Sequence, residues 1–249
     1  MTENLTHFGF KKVPEEEKVN WVVRHFNTVA DKYDFMNTLL SFGIHHLWKR
    51  KSIRMMDLKQ GDKIVDICGG TGDLSLLAAR RIGSSGRVVL LDMNRAMMER
   101  GRPKVAGSPF AENIFFVQGD AEQVALGNEC FDALTVGFGI RNLTHLEQGL
   151  REMHRILKPG GKLMCLEFSK PTMPLFRWLY DFYSFRIMPV LGQLIAGSKD
   201  AYTYLPESIR LFPSPPELSR MIENEGFSDV VFKRLTNGIA VIHMAVKNP

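Results

Sequence analysis

The chain has 249 residues, 45% of them hydrophobic, so it can bury one large core and its length does not require two domains. The net charge of +5 is spread along the chain, which falls short of the clustered basic footprint of a nucleic-acid binder. Three cysteines, Cys68, Cys130 and Cys165, lie far apart and form no CxxC pair. This spacing favours reduced, buried thiols in a cytosolic protein over a zinc site or disulfides.

The first residues lack the charged start and apolar core of a signal peptide, and no apolar run approaches the roughly 20 residues that span a bilayer. We therefore expect a cytoplasmic protein, at most peripheral to the inner face of the cytoplasmic membrane. An N-terminal helical arm is predicted over 1–62. Its apolar residues share one helical face and are Val19, Val22, Val23, Phe26 and Ala30. The arm is expected to pack near the ligand edge of the domain that follows.

Strand and helix patterns alternate from residue 63. They predict strands over 63–68, 87–92, 113–120, 131–140 and 162–168, and helices over 73–82, 95–104 and 146–157, with a turn at "KPGG" (158–161). Near-continuous apolar strands separated by helices are typical of a parallel sheet covered on both faces. The pattern therefore predicts a doubly wound α/β domain over 63–249.

The alternation ends after Phe168. Residues 169–216 hold many prolines and aromatics, and we expect an insertion that lies over the sheet as a lid and contacts substrate. A helix is predicted at "PELSRMIENEGF", followed by two strands, 228–235 and 238–247. These strands are close enough in sequence to pair as an antiparallel hairpin.

A glycine turn, "VDICGGTGDLS" (65–75), joins the first predicted strand to a helix. It is no P-loop, because Asp73 stands where a lysine is needed. Gly70 and Gly72 supply two glycines of a dinucleotide fingerprint, but Ser75 replaces the third. A carboxylate at the helix start also repels a pyrophosphate, although helix capping is the favoured interpretation of Asp73. The ligand at this turn is not expected to be an anion.

Aspartates stand at successive strands of the predicted sheet. Asp92 ends the second strand, in the position where an acidic side chain bonds ribose hydroxyls. Asp66 can meet an ammonium group, while Asp120 can accept from an adenine amino group beside the backbone N–H of Ala121. Together with Gly70 and Gly72 of the glycine turn, these aspartates predict S-adenosylmethionine as the cofactor and are its expected binding residues. For each aspartate taken alone, a turn or a helix cap is the alternative.

Longer motifs carry a family resemblance over nearly the whole chain. They are "THFGF" (6–10), "YDFMNTLLSFGIHHLWK" (33–49), "GGTGD" (69–73), "FGIRN" (138–142), "RILKPGGKLMCLEFSKP" (155–171) and "YLPESIRLFP" (204–213). With these motifs the chain resembles the class I S-adenosylmethionine-dependent methyltransferases and, more narrowly, the ubiquinone and menaquinone biosynthesis C-methyltransferases. The resemblance implies a Rossmann-like, seven-stranded, mostly parallel sheet with an antiparallel last strand.

The resemblance also implies cofactor contacts at Thr71, Asp92, Asp120 and Ala121. Gly137 stands where many members carry a serine, so only its backbone is expected to contact the cofactor. His46 replaces the arginine of the family's HRxWK motif. The implied substrate is a polyprenylated benzoquinol or a demethylmenaquinol, methylated on a ring carbon, and other quinone-biosynthesis proteins are implied as partners.

Ring methylation requires a phenolate, because an aromatic carbon is a poor nucleophile while the neighbouring phenol keeps its proton. Arg141 follows the fourth strand and is predicted to stabilise the quinolate as a fixed cation, with a surface ion pair as the alternative. Asn142 is predicted to orient the ring oxygen or a water. Arginine is a poor base, so a water that relays the proton is favoured. Glu167 either reaches the substrate or is a structural carboxylate.

His45 and His46 raise the question of a metal. Adjacent residues on a helix point in different directions and no further ligand is near in sequence, so no metal is predicted. His45 is predicted to hydrogen-bond the substrate, with a packed histidine as the alternative. In the insertion, one helical face carries Leu175, Trp178, Leu179 and Phe182. That face either belongs to the core or meets a lipid tail and the membrane.

Two other functions remain alternatives: methylation of another hydrophobic small molecule, and non-catalytic binding of S-adenosylmethionine. Nucleic-acid partners are not expected. Enzymes that methylate exocyclic amines of bases carry an Asn/Asp-Pro-Pro-aromatic motif after the fourth strand, and this chain has "GFGIRN" there.

Overall fold

The computed structural model describes residues 4–248. The strands in this part of the chain are β1 Leu5–Phe8, β2 Lys11–Pro14, β3 Lys63–Ile67, β4 Arg87–Asp92, β5 Ile114–Gln118, β6 Phe131–Gly137, β7 Leu157–Phe168, β8 Phe227–Leu235 and β9 Ala240–Lys247. The helices are α1 Lys18–Val29, α2 Tyr33–Leu40, α3 Ile44–Met55, α4 Asp73–Ile82, α5 Arg95–Ala106, α6 Leu146–Ile156, α7 Pro174–Phe182, α8 Met188–Leu191, α9 Lys199–Leu211 and α10 Pro215–Asn224.

Seven strands form one sheet in the order β5-β4-β3-β6-β7-β9-β8. The first five of these are parallel, while β9 runs antiparallel to both of its neighbours. Buried side chains cover both faces of the sheet. The predicted fold class is confirmed, and so is the β8–β9 hairpin, whose strands are joined by a helical turn at Thr236–Gly238.

The turn predicted at 158–161 is wrong, because β7 begins before it. Leu157 pairs with Phe131 of β6, and the next pair joins Lys162 to Ala133, so the intervening residues of β7 bulge out of the ladder. Gly160, at φ 76°, adopts a left-handed conformation that glycine tolerates at such a bulge. The buried Leu157 side chain holds this early segment in the sheet.

Strand β6 is shorter than the predicted 131–140. It ends at Gly137, and Phe138 then turns the backbone with a φ of 59°. A helical turn over Ile140–Asn142 follows, so Arg141 stands on a tight turn at the carboxyl edge of the sheet. The sheet edge therefore fixes the position of this side chain.

The insertion predicted over 169–216 contains α7, α8 and α9, with π-helical turns at Tyr183–Ile187 and Gly192–Ala196. Within residues 4–248, no helix combines the length and the apolar character needed to cross a bilayer. All three cysteines are free thiols. The prediction that all are buried holds for Cys165 but not for Cys68, which is half-buried, or for Cys130, which is exposed in the turn before β6.

Candidate active site

Two adjoining cavities open at the carboxyl edge of the parallel strands. The first, which we name the glycine-turn cavity, has a volume of about 90 Å³ and lies between the glycine turn, the ends of β4 and β6, and α1. The second, which we name the lid cavity, has a volume of about 340 Å³ and lies between α1–α3 and the insertion. Phe26, Tyr33 and Phe138 line both cavities, so the two cavities adjoin at these residues.

The glycine turn leads the chain from β3 into α4. Gly70 and Gly72 have φ angles of 54° and 81°, in the left-handed region that favours glycine. Gly70 lines the glycine-turn cavity and its N–H donates to Asp92 Oδ2 over 2.8 Å. The turn is thereby fixed to the end of the neighbouring strand β4.

Asp92 lines the glycine-turn cavity with both carboxylate oxygens held by backbone N–H groups. Besides the bond from Gly70, Oδ1 accepts from Asn94 N over 2.7 Å. Burial raises the pKa of Asp92, and the two backbone bonds oppose this rise. Each carboxylate oxygen retains a second lone pair, so Asp92 can still accept from a ribose diol.

Three further members of the predicted cofactor set line the same cavity: Asp120, Ala121 and Gly137. Asp120 Oδ1 accepts from Glu122 N over 2.8 Å, which fixes the carboxylate after β5. At Gly137, an added Cβ would lie 2.4 Å from Leu74 Cδ1. This chain therefore fills with Leu74 the space that a side chain at position 137 would need.

Helix α1 forms the apolar wall of the glycine-turn cavity through Val19, Val22, Val23 and Phe26. Asn94 ties the helix to the site, because its Nδ2 donates to the backbone oxygen of Val23 over 3.0 Å. An apolar wall facing a hydrogen-bonding carboxylate fits an adenosine group. The residues of this cavity therefore fit S-adenosylmethionine.

Asp66, Thr71 and Gly72 of the predicted set do not line either cavity. Asp66 is 1% exposed, and its oxygens accept from Ser75 Oγ and Thr135 Oγ1, each over 2.6 Å. Burial raises its pKa to about 6, against the effect of these bonds. Asp66 thus stabilises the glycine turn through buried hydrogen bonds. Direct contact of Asp66, Thr71 and Gly72 with a cofactor stays a prediction.

Thr71 belongs to a polar network that joins the arm to the glycine turn. Its Oγ1 donates to Asp34 Oδ1 over 2.7 Å. Lys104 lies 2.6 Å from Asp73, and Lys49 lies 2.7 Å from the other oxygen of Asp73. Burial opposes ionisation of Asp73, but the two lysines hold its pKa well below the usual range.

Asp73 is therefore neither the predicted helix cap nor an uncompensated negative charge. The cap of α4 is Gly72, which has no side chain. Because two ammonium groups neutralise Asp73 and the residue lies outside the cavity lining, its expected repulsion of a pyrophosphate is largely offset. The ligand assignment depends instead on Asp92 and on the apolar α1 wall.

Arg141 lines the lid cavity and forms a buried ion pair with Glu167, which does not line the cavity. Arg141 Nη1 lies 3.0 Å from Glu167 Oε1, and the two side chains are 6% and 2% exposed, so the alternative of a surface ion pair is wrong. Nη1 also donates to Phe138 O, and the guanidinium lies 5.6 Å from the centre of the Phe168 ring. Burial opposes the charge of Arg141, but Glu167 raises its pKa. The site therefore holds a fixed cation.

Asn142 lines the glycine-turn cavity, whereas Arg141 lines the lid cavity. Asn142 Oδ1 accepts a hydrogen bond from Tyr204 Oη over 2.8 Å. Tyr204 lies on α9 and stacks on Phe8 of β1, with ring centroids 4.1 Å apart. Sequence reasoning missed Tyr204 as a site residue, although the motif "YLPESIRLFP" begins with it.

His45 lines the lid cavity and is 4% exposed. Its Nδ1 lies 2.6 Å from Ser41 Oγ. Burial and, to a smaller extent, Lys49 and His46 lower its pKa to about 4. The imidazole is therefore neutral at neutral pH.

The fold brings Asp73, which is distant in sequence, close to the two adjacent histidines. One ligand atom each from His45, His46 and Asp73 lie within 4.8 Å of one another. Both oxygens of Asp73 bond lysines, however, and two ammonium groups beside the cluster disfavour a further cation. The chemistry of the cluster thus favours a hydrogen-bonded network over a metal centre.

The sheet order, the glycine turn and Asp92 at the end of β4 define a class I S-adenosylmethionine-dependent methyltransferase fold. A solved S-adenosylmethionine-dependent methyltransferase from Aquifex aeolicus superimposes with a TM-score of 0.62 at 16% identity, covering 86% of this chain and 97% of that one. A profile of the ubiE/COQ5 methyltransferase family matches residues 11–247. The chain belongs to this family.

Curated relatives match this chain over nearly its full length. A protein of Methylococcus capsulatus named ubiquinone/menaquinone biosynthesis C-methyltransferase UbiE is 45% identical, covering 99% of this chain and all of the relative. A protein of the same name from Cellvibrio japonicus is 47% identical, covering 98% of each chain. The predicted enzyme class, a C-methyltransferase that uses S-adenosylmethionine, is confirmed.

Proposed function

We propose that this chain transfers a methyl group from S-adenosylmethionine to a ring carbon of a polyprenylated benzoquinol, a demethylmenaquinol, or both. The observation that carries the proposal is that the two cavities adjoin at residues that line both of them. A cofactor in the glycine-turn cavity and a ring in the lid cavity are neighbours across Phe26, Tyr33 and Phe138. The names of the relatives support the same substrate class.

S-adenosylmethionine, when bound, supplies a methyl group on a positively charged sulfur. Asp92, Asp120 and the backbone of Gly70, Ala121 and Gly137 orient it, and α1 covers its apolar face. Holding both reactants in line contributes much of the rate enhancement in such a transfer. The protein therefore has to fix the ring and favour its phenolate form.

Arg141 stabilises the quinolate oxygen as a fixed cation, held in place by Glu167. Asn142 lines the glycine-turn cavity and not the lid cavity, so in this proposal it orients a water beside the cofactor, and Tyr204, which lines the lid cavity, fixes its amide. His45 contacts the ring hydroxyl from the opposite, arm side of the lid cavity. Phe138 and Phe168 contact each other beside Arg141, with ring centroids 4.4 Å apart. Both rings line the lid cavity and give an apolar ring an aromatic surface to pack on.

We further propose that the enzyme works at a membrane surface. The insertion exposes large apolar side chains: Met173, Leu175, Trp178, Leu179, Phe182, Ile187, Val190 and Leu194. Leu175 and Trp178 of α7 are 70% and 64% exposed, so the alternative that the α7 face belongs to the core does not hold. Exposed patches of this kind mark interaction sites.

The apolar surface adjoins the mouth of the lid cavity. Leu179 contributes to both, and Phe42 at 79% exposure contacts Tyr183 with ring centroids 6.1 Å apart. Arg186 and Lys199 are exposed nearby and can face anionic headgroups. A polyprenyl tail gains about 0.8 kcal/mol per buried methylene, so an apolar path from bilayer to cavity favours its entry.

Mass spectrometry tests the chemistry. Purified protein, methyl-labelled S-adenosylmethionine and either a short-tailed methoxy-prenyl-benzoquinol or a demethylmenaquinol, each kept reduced, should give a product labelled on a ring carbon. Comparing the two acceptors decides the ring preference. If neither acceptor is methylated while cofactor binding is measured in the same sample, the proposal is wrong, and another hydrophobic acceptor or a binding role replaces it.

Sedimentation with vesicles containing anionic lipid tests the membrane surface. Trp178→Ser combined with Leu194→Ser should lower the bound fraction, because both residues leave the exposed apolar surface. Val231→Ser is the matched control, since Val231 is 59% exposed on β8. Equal binding of all three proteins would refute this part of the proposal.

A further inference from the structure

Two short contacts, both made by Ser41 Oγ, fix the imidazole of His45. Ser41 Oγ lies 2.6 Å from the backbone oxygen of Asn37 and also 2.6 Å from His45 Nδ1. The serine hydroxyl has one proton, and a carbonyl oxygen can only accept. Ser41 therefore donates to Asn37, and the contact with His45 requires the ring to donate from Nδ1–H.

This assignment leaves His45 Nε2 as the unprotonated nitrogen. Nε2 makes no hydrogen bond within residues 4–248, and this atom is not fully enclosed by the protein. The side chain is buried and lines the lid cavity, so the open nitrogen is accessible from that cavity. A neutral imidazole with a fixed tautomer and an open lone pair is the arrangement that a general base requires.

The neighbouring histidine is fixed in the opposite tautomer. Thr38 Oγ1 donates to Asp34 O over 2.9 Å, so its contact of 3.3 Å with His46 Nε2 requires that nitrogen to donate. His46 does not line either cavity. The two adjacent histidines thus differ in tautomer and in access, and His46 serves as an internal comparison.

We propose that His45 Nε2 is the base that accepts the phenol proton of the ring; this inference rests on the proposed function. The O–H bond breaks, its proton joins Nε2, and its electron pair stays on the oxygen facing Arg141. The ring carbon takes the methyl group while the electron pair of the breaking C–S bond stays on sulfur. The ring carbon then loses its own proton to water, and the oxygen regains a proton from the imidazolium.

The charged surroundings of His45 come from several elements. Lys49 and His46 on α3 disfavour the imidazolium, while Asp73 on α4 and Asp34 on α2 favour it. Burial has the largest effect and keeps the free enzyme's imidazole neutral. A weak base of this kind acts in concert with methyl transfer, because the quinolate that forms between His45 and Arg141 stabilises the imidazolium as it develops.

The tautomer is measured directly by NMR on the full chain labelled with ¹⁵N-histidine, without cofactor or acceptor. His45 should show a protonated Nδ1 and an unprotonated Nε2 from pH 6 to pH 8, with its signals assigned by their loss in His45→Asn. Ser41→Ala should release this preference. A protonated Nε2, or an imidazolium at neutral pH, would overturn the proposal.

Single-turnover methylation tests the base itself. His45→Ala should lower the rate on the order of 100-fold, with cofactor affinity unchanged and part of the rate restored by added imidazole. The loss should shrink for an acceptor whose phenol is made more acidic by a ring halogen. His46→Asn, the matched control, should retain the wild-type rate.

Two results would refute the base: an unchanged rate in His45→Ala, or a loss that neither imidazole nor the acidic acceptor reduces. The second result would leave His45 only a structural role. Failure of the proposed function looks different, since the wild-type protein would then methylate no quinol while the NMR result still stands.

Discussion

Arg141 and Glu167 form an ion pair enclosed by the protein, with 3.0 Å between Nη1 and Oε1. Glu167 also accepts from the backbone N–H of Phe168 over 2.7 Å. The pair joins the end of β7 to the turn after β6, which are parallel neighbours in the sheet. The cation of the site is therefore fixed by the sheet itself.

Replacing Glu167 by Gln should be costly, because it leaves the Arg141 charge buried without its partner. We expect the free energy of unfolding to fall by about 3–5 kcal/mol, with a further loss of methylation rate. Urea unfolding measures the first effect. Glu225→Gln is the control: Glu225 pairs with Arg151, whose side chain is 67% exposed, so a loss of at most about 1 kcal/mol is expected there. Equal losses of unfolding free energy in the two variants would contradict the conclusion that burial makes the Arg141–Glu167 pair more costly to break.

Local patterns predicted the elements better than the contacts between them. Helix α4 and strand β4 have the predicted bounds, because a glycine turn and an aspartate mark their ends. The sequence placed Asp92 and Asp120 at the carboxyl edge of the sheet, where both line the glycine-turn cavity, because carboxyl ends of parallel strands meet at one edge. The predicted turn at 158–161 failed because the buried Leu157 pairs with Phe131 and begins β7 before the Pro-Gly segment, which is left as a bulge within the strand.

Contacts between segments that are distant in the chain have no local sequence pattern that predicts them. Tyr204 and Asn142 are 62 positions apart, and Arg141 and Glu167 are 26 apart. Which polar side chain meets which depends on helix α9 lying over the sheet edge, and this follows from packing and not from local periodicity. The neutralisation of Asp73 by Lys49 and Lys104 was missed for the same reason.

Asp92→Asn should weaken binding of S-adenosylmethionine by about 10–100-fold, because a carboxylate that accepts from two ribose hydroxyls becomes an amide. Isothermal titration calorimetry measures the dissociation constant. Asp57→Asn is the control, since the Asp57 side chain is 88% exposed and lies outside both cavities. A thermal melt without ligand checks that the variant is folded, and an unchanged affinity in a folded variant would refute the role of Asp92.

Asp73→Asn should show a pH-dependent loss of stability. The folded pKa of Asp73 is depressed, so its contribution is full above the unfolded value near 3.8 and is lost as the pH falls toward the folded value. At pH 7 we expect a loss of about 2 kcal/mol relative to wild type, from the bonds to Lys49 and Lys104. Urea unfolding at pH 7, 4 and 3 should show this difference narrowing below pH 4. A difference that widens on acidification would contradict the pairing.

Gly137 and Leu74 should be energetically coupled, because a Cβ at position 137 would lie 2.4 Å from Leu74 Cδ1. Gly137→Ser alone overpacks the site and should lower the free energy of unfolding by about 1–3 kcal/mol. Leu74→Val shortens the opposing side chain and should cost about 1 kcal/mol alone. The double variant should be more stable than the sum of the two losses predicts, by at least about 0.5 kcal/mol. Additive losses in a urea unfolding cycle would mean that the cavity wall at Gly137 accommodates a serine without displacing Leu74.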